Sequence, residues 1–342
     1  MRLNLKTKLF LQRAAIIFII AAVVCVYIPE ESSYTAADAT QSGFVKWADF
    51  NIPYSALDKA MNLDIRSHNA VQLHWVEILS FLGAKYGGNW KRYRSRDMDS
   101  LAAKLKNGSK MEELTANLKN YNNYYEIYDA VLDNFVGDYS MESKNADGVT
   151  VYEKKYGLKV FSPVAAGYGY GHYDDFGNSR SFGFSRRHLG NDLMGNIGTP
   201  IIAVEGGYIE SIGWNKYGGW RIGIRSFDKK RYYYYAHMRK DHPYRDGLKE
   251  GSIVRSGDVI GYLGMTGYST TENVNKMQKP HLHFGMQLIF DESQKDSNNE
   301  IWIDVYDIVN LLQRNRSQVV KQGKDYMRVN NFTDLRYSLY YE

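Results

Sequence analysis

The run Pro280-His281-Leu282-His283-Phe284-Gly285-Met286-Gln287-Leu288-Ile289 decides how this chain folds. Its side chains alternate in character from one residue to the next, and a period of two is the signature of a strand. On a strand His281 and His283 project from one face, while Leu282 and Phe284 project from the other. Two imidazoles on one side of a sheet whose other side is apolar point to a site built on the sheet. Two more stretches offer groups for it. His188-Leu189-Gly190-Asn191-Asp192 follows basic, glycine-rich sequence and precedes the strand-like Thr199-Pro200-Ile201-Ile202-Ala203-Val204. Arg231-Tyr232-Tyr233-Tyr234-Tyr235-Ala236-His237 is an aromatic, strand-like run that starts after the turn-like Phe227-Asp228-Lys229-Lys230 and ends on a histidine.

Four of the eight histidines in the chain lie in these stretches. With Asp192 they offer imidazole and carboxylate donors, the set that holds a hydrolytic zinc through three protein ligands and keeps one position for water. The metal lowers the pKa of that water and makes it a nucleophile. A lone histidine on a strand is ordinarily packed or solvated. The metal reading rests on all three stretches occurring together between residues 188 and 283. Most of the 30 glycines fall between residues 151 and 290, with strand-like runs between them, which is the texture of a tightly turned antiparallel sheet.

Residues 161–311 resemble the lysostaphin/LytM-type zinc endopeptidases. That family carries a His-x-x-x-Asp motif, matched by His188 and Asp192. It has a later histidine in a Tyr-x-His-Met/Leu setting, matched by His237, and a His-x-His motif, matched by His281 and His283. The flanks agree as well: Gly190-Asn191-Asp192-Leu193, Thr199-Pro200-Ile201, Val204-Glu205-Gly206-Gly207 and Gly257-Asp258-Val259-Ile260-Gly261. The resemblance implies that His188, Asp192 and His283 bind Zn2+, with His237 and His281 as a catalytic pair outside the ligand set. It implies a metalloendopeptidase that hydrolyses peptide bonds in peptidoglycan stem peptides or crossbridges at the cell surface. One departure stands out. Some members place a tyrosine shortly before the first zinc histidine to help hold the oxyanion, and here Ser181-Phe182-Gly183-Phe184-Ser185 occupies that stretch. The alternative is a catalytically silent envelope or sporulation scaffold on the same fold. Such relatives usually lose motif residues, and this chain keeps all five. A wall-binding module with a structural zinc is a further alternative, which a fourth protein ligand would mark.

A length of 342 residues accommodates two domains and a tether. The hydrophobic fraction of 44% and charged fraction of 24% suit a globular protein. A net charge of +5 without a basic stripe gives no nucleic-acid footprint, so no nucleic-acid partner is expected. With Cys25 as the single cysteine there is no disulfide framework. Arg2, Lys6, Lys8 and Arg13 precede an apolar run from Ala14 to Ile28, a charge pattern that keeps the start cytoplasmic and sends the rest across the membrane. The run reaches the ~20 residues of a spanning helix only when extended back to Leu9. Residues 1–30 read as an uncleaved membrane anchor, with the catalytic part outside. A cleaved signal segment and a secreted protein, with Ala37-Asp38-Ala39 as the nearest Ala-x-Ala, is the alternative.

The expected fold class is α+β multidomain: an N-terminal membrane helix, a small all-helical domain, then an antiparallel β-sheet LytM-type peptidase domain. The expected segments are a linker over 31–45, the helical domain over 46–140, a polar linker over 141–160, the peptidase domain over 161–311 and a C-terminal extension over 312–342. In the helical part, Pro53 suits a first helical position ahead of Leu57, Ala60 and Met61, and Gly87-Gly88 stops a second helix running through Leu73, Val76, Ile78, Leu79 and Leu82. Asp97 and Asp99 open a third that Asn107-Gly108 ends, and further helical stretches run over 112–118 and 124–135. Tyr121, Tyr124, Tyr125 and Tyr128 have helical spacing and read as core packing rather than a glycan platform. Glu77 raises a glycosidase reading, but glycoside cleavage needs a second carboxylate at a defined distance and the sequence places none, so it reads as a solvent-facing helical residue. His172, Asp174 and Asp175 belong to a Gly/Tyr-rich loop expected to wall the groove rather than bind metal.

Overall fold

Proline and glycine set the helix ends where the sequence marks them. The computed structural model describes residues 45–341. The membrane anchor, the signal-segment alternative and nearly all of the 31–45 linker lie outside those residues. Helix α1 (Tyr54–Ser67) starts directly after Pro53, and α2 (Trp75–Tyr86) stops at Gly87, whose φ of 62° is the left-handed cap conformation. Helices α3 (Ser95–Lys106), α4 (Met111–Thr115) and α5 (Tyr121–Leu132) follow. Leu57, Ala60 and Met61 of α1 pack with Ile78, Leu79 and Leu82 of α2, and with Leu101 and Val131 from α3 and α5. Among the described residues no helix is long and apolar enough to cross a membrane.

Residues 141–160 depart from the expected linker. Strands β1 (Val136–Lys144) and β2 (Thr150–Leu158) form an antiparallel hairpin there, turning at Gly148. The hairpin is polar on much of its surface, so its sequence shows little alternation. Its packing partner comes from the far end of the chain. Tyr139 stacks on Phe332 with ring centroids 5.0 Å apart, and Phe161 meets Phe332 edge-on at 5.1 Å.

The next strands are β3 (Gly171–His172), β4 (Ser179–Phe182), β5 (Phe184–Arg187), β6 (Asn191–Met194), β7 (Pro200–Ile202), β8 (Gly207–Asn215), β9 (Gly219–Ser226) and β10 (Arg231–Ala236). They continue with β11 (Ile253–Val254), β12 (Val259–Tyr262), β13 (His281–Leu288) and β14 (Ile301–Ile303). Eight strands make one antiparallel sheet in the order β11-β8-β9-β10-β13-β6-β3, with β14 also paired to β13. Strand β13 lies inside it, and its alternation is the expected one. Leu282, Phe284, Met286 and Leu288 are buried against Tyr233, Tyr235 and Leu193. The opposite face carries His281, His283, Gly285 and Gln287.

The C-terminal extension after residue 311 carries strands of its own. Helix α6 (Tyr306–Leu312) leads to the hairpin of β15 (Val319–Gln322) and β16 (Asp325–Arg328), and β17 (Phe332–Asp334) pairs with β1. Helical region, sheet and C-terminal strands share buried polar contacts. Arg231 pairs with Glu205 at 2.8 Å and donates to the Ala130 carbonyl of α5 at 2.7 Å. Asn134 donates to Glu205 at 2.7 Å and to Asp334 at 3.2 Å, and Lys159 pairs with Asp334 at 2.7 Å. The described residues therefore pack as one compact unit.

Candidate metal centre

Register brings the first donors together. In the β13–β6 pair His283 sits opposite Asp192, and on the other side of β13 it sits opposite Ala236, the residue before His237. His188 comes from the connection between β5 and β6 and approaches from above the sheet. Its Nε2 lies 2.8 Å from His283 Nδ1 and 3.1 Å from Asp192 Oδ1, and His283 Nδ1 lies 3.4 Å from the same oxygen. The three donors fall within 4.8 Å of one another. Backbone space is needed for this approach. A Cβ at Gly190 would come within 2.5 Å of the Phe284 carbonyl and 2.8 Å of His283 Cε1.

The residues fit a metal. Asp192 Oδ1 is buried and accepts no hydrogen bond, an orphaned acceptor at the point where two imidazole nitrogens converge. Two nitrogens and one carboxylate oxygen form the donor set of a hydrolytic zinc with an open position. Burial pushes the His283 pKa down, which keeps it neutral and able to donate a lone pair. Burial works to raise the Asp192 carboxyl, but His188 and His283 outweigh it and hold it well below the usual carboxylate range. Burial likewise opposes protonation of His188, yet its contacts with Asp175 and Asp192 raise it to about 9.

Outside that set, His237 and His281 face each other with ring centroids 4.7 Å apart. Each is held by one nitrogen. His237 Nδ1 is 2.8 Å from the Thr266 carbonyl, and His281 Nδ1 is 2.8 Å from the Lys279 carbonyl. Those bonds fix the tautomer with the proton on Nδ1 and leave Nε2 for the groove. His281 Nε2 sits 3.8 Å from Asp192 Oδ1, so it looks toward the metal donors without joining them. His237 has φ 60°, a left-handed conformation that costs a non-glycine residue of order 1–3 kcal/mol. Its N–H to the Gly218 carbonyl at 2.7 Å and the next N–H to the Trp220 carbonyl at 3.0 Å hold the strained turn in place. Burial, reinforced by the nearby His281 and His283, pushes the His237 pKa well below its ordinary value.

The five expected residues thus line one cavity of about 150 Å³, together with Arg180, Arg186, Arg187, Tyr217 and Tyr268. Two residues outside the five expected ones support the centre. Asp175 faces His188 Nδ1 at 3.3 Å through its carboxylate and 3.1 Å through its carbonyl, which orients Nε2 toward Asp192. Arg180 bridges Asp175 at 2.5 Å and Asp192 Oδ2 at 3.1 Å. The sequence places Asp174 and Asp175 alike in the loop expected to wall the groove, and the structure sets Asp175 against His188. His172 is instead turned to Asn310 at 3.3 Å and packed on Tyr306. In the helical region Tyr128 is buried and Tyr125 exposed. Glu77 is half-buried rather than solvent-facing, its burial raises its carboxyl, and it lines a cavity of about 460 Å³ together with Glu112 and Tyr121.

Part of the chain is similar to known proteins. Residues 186–299 match Peptidase family M23. The chain is 40% identical over 124 residues to the L-Ala--D-Glu endopeptidase of Bacillus subtilis, covering 36% of each protein. It is 39% identical over 119 residues to lysostaphin of Staphylococcus simulans, covering 34% of this chain and 20% of that one. The chain thus spans only between a fifth and just over a third of these relatives' lengths. In fold, it is similar to a Ruminococcus gnavus chain solved as a proposed glycyl-glycine endopeptidase lytM, with a TM-score of 0.53 over 79% of this chain and 91% of that one at 19% identity.

Proposed function

Because residues 186–299 form an M23 peptidase domain, we propose that this protein is a zinc metalloendopeptidase that hydrolyses peptide bonds of peptidoglycan, in stem peptides or crossbridges, outside the cytoplasmic membrane. The observation that carries the reading is the convergence of His188 Nε2, Asp192 Oδ1 and His283 Nδ1 on one point, with the carboxylate oxygen left unpartnered. In this reading those three residues hold the zinc. When bound, zinc supplies a Lewis acid and a water acidified toward neutrality.

The chain's own residues account for the rest of the chemistry. His237 and His281 present Nε2 to the cavity as acceptors, since Nδ1 of each is engaged by a carbonyl. One takes the proton of the attacking water at Nε2, and the other, entering the step with Nε2 protonated from solvent, donates a hydrogen bond to the developing oxyanion. Burial keeps His237 neutral at rest, so its Nε2 lone pair is free toward the cavity. Asp175 holds the His188 ring, and Arg180 holds the outer oxygen of Asp192. Substrate class rests on what the relatives are named for, an L-Ala--D-Glu endopeptidase and lysostaphin. The external location rests on the basic residues ahead of the apolar run from Ala14 to Ile28.

Zinc analysis of the purified protein, paired with digestion of purified cell walls, tests the reading. One zinc per chain and release of new amino termini from walls are expected. Wall binding without cleavage, with zinc present, would favour the scaffold instead.

A further inference from the structure

Three arginines line the cavity beside the histidines, and they are not alike. Arg180 is neutralised by Asp175 and Asp192. Arg187 is exposed. Arg186 is half-buried and locked. Its guanidinium lies 4.9 Å from the Tyr217 ring and 5.0 Å from the Tyr268 ring, and Nη2 donates to the Tyr268 hydroxyl at 2.8 Å. Its Nη1 is buried without any hydrogen-bond partner, and among the described residues no carboxylate pairs with it. The rings that grip it are fixed in turn. Phe182 stacks on Tyr268 at 5.3 Å, and Phe184 meets Tyr217 edge-on at 5.9 Å, so the β4–β5 hairpin carries the arginine as a rigid part of the groove wall.

A fixed, partly desolvated guanidinium with no counter-charge is unfavourable by itself, and a planar fork of donors is matched to a carboxylate. Tyr268 also lies 6.0 Å from the His237 ring. The guanidinium is therefore within about three residues of extended peptide from the reacting position, at ~3.3 Å per residue.

We propose that Arg186 is a specificity-determining residue that binds a free carboxylate of the substrate close to the scissile bond, so that the cavity selects acidic peptides over uncharged glycine-type crossbridges. This rests on the endopeptidase reading above. The carboxylate completes the ion pair that the protein leaves open, and the charge-assisted bond favours the bound substrate. Lys216, placed 4.9 Å over the Tyr217 ring, adds a second positive charge beside the same ring.

The test uses peptides released from purified cell walls in two forms, with carboxylates free and with carboxylates converted to amides. Wild-type protein is expected to cleave the free form with a kcat/KM about tenfold or more higher, the difference lying in KM. In Arg186→Gln that ratio is expected to fall toward one through a raised KM for the free form, and Arg186→Lys is expected to restore part of it. Equal cleavage of both forms by wild type overturns the proposal while leaving the endopeptidase reading intact. An Arg186→Gln protein that loses activity on both forms alike, with the ratio preserved, overturns it too, because Arg186 would then only brace the hairpin. Cleavage of neither form by wild type overturns the endopeptidase reading, and this proposal with it.

Discussion

Two of the buried polar clusters on the sheet are satisfied to different degrees. Around Glu205 and Arg231 the charges are closed on themselves. Both Glu205 oxygens accept bonds, from Arg231, Tyr233 and Asn134, and every guanidinium nitrogen of Arg231 finds Glu205, Asp228 or the Ala130 carbonyl. Around His283 the charges are left open. Asp192 Oδ1 and Arg186 Nη1 lack partners, and His237 holds a strained backbone. A closed cluster joins pieces of structure, here α5, the sheet and β17. An open one is a place where something else binds.

Eight variants probe that contrast, from the largest expected effect to the smallest. At the open cluster, His188→Ala, Asp192→Ala and His283→Ala are each expected to lose bound metal and all measurable hydrolysis while the protein stays folded. Stoichiometric metal in any of them, read by elemental analysis, would remove that residue from the ligand set. His237→Ala and His281→Ala are expected to keep metal and lose about 10²–10⁴-fold in rate. Near wild-type turnover with metal bound would exclude either from the chemistry, and metal loss in His281→Ala would exchange the roles of the two strand histidines.

At the closed cluster the cost is stability. Arg231→Ala strands Glu205 in the interior and is expected to destabilise folding by about 3–5 kcal/mol, measured by denaturant unfolding. A loss below about 1 kcal/mol would mean the cluster does not join the regions. Asp228 gives the pH dependence of the same cluster. Burial works to raise its carboxyl, but Arg231, the Ser226 hydroxyl and the Lys230 N–H outweigh it and depress the pKa below the ordinary value. A depressed carboxyl stabilises the fold above its unfolded pKa of about 3.9, and that contribution disappears as pH falls through the lower native value. Asp228→Asn is therefore expected to be less stable than wild type at neutral pH, with the gap closing below about pH 4. A gap that stays constant from pH 7 to 3 would contradict the assignment. At the rim, Arg336 pairs with Asp133 at 2.6 Å in a partly exposed setting, and Arg336→Ala is expected to cost less than about 1 kcal/mol. A larger loss would make this pair part of the closed cluster.

Much of the site was legible in the sequence because its information is local. The spacing of His281 and His283 puts them on one strand face, and the apolar Leu282 and Phe284 between and after them fill the buried face. Helix ends at Pro53 and Gly87 follow from one residue each. The strands over 141–160 were not legible, since their apolar contacts come from Phe332, almost two hundred positions along the chain. Arg180 and Arg186 were hidden for a similar reason. Nothing in a hairpin of serine, phenylalanine and arginine says which guanidinium will find a carboxylate and which will be held between two rings.

By itself, then, the sequence singled out the candidate residues, through strand periodicity and through five groups of the right type. Only the tertiary structure decided how they meet. Register set Asp192 against His283 and Ala236 beside it, and the strained turn at His237 aimed its ring at His281. The packing of the hairpin left Arg186 without a counter-ion. Local periodicity is a property of neighbouring residues, whereas charge compensation depends on every segment that packs within a few ångströms, and those segments are distant in the chain.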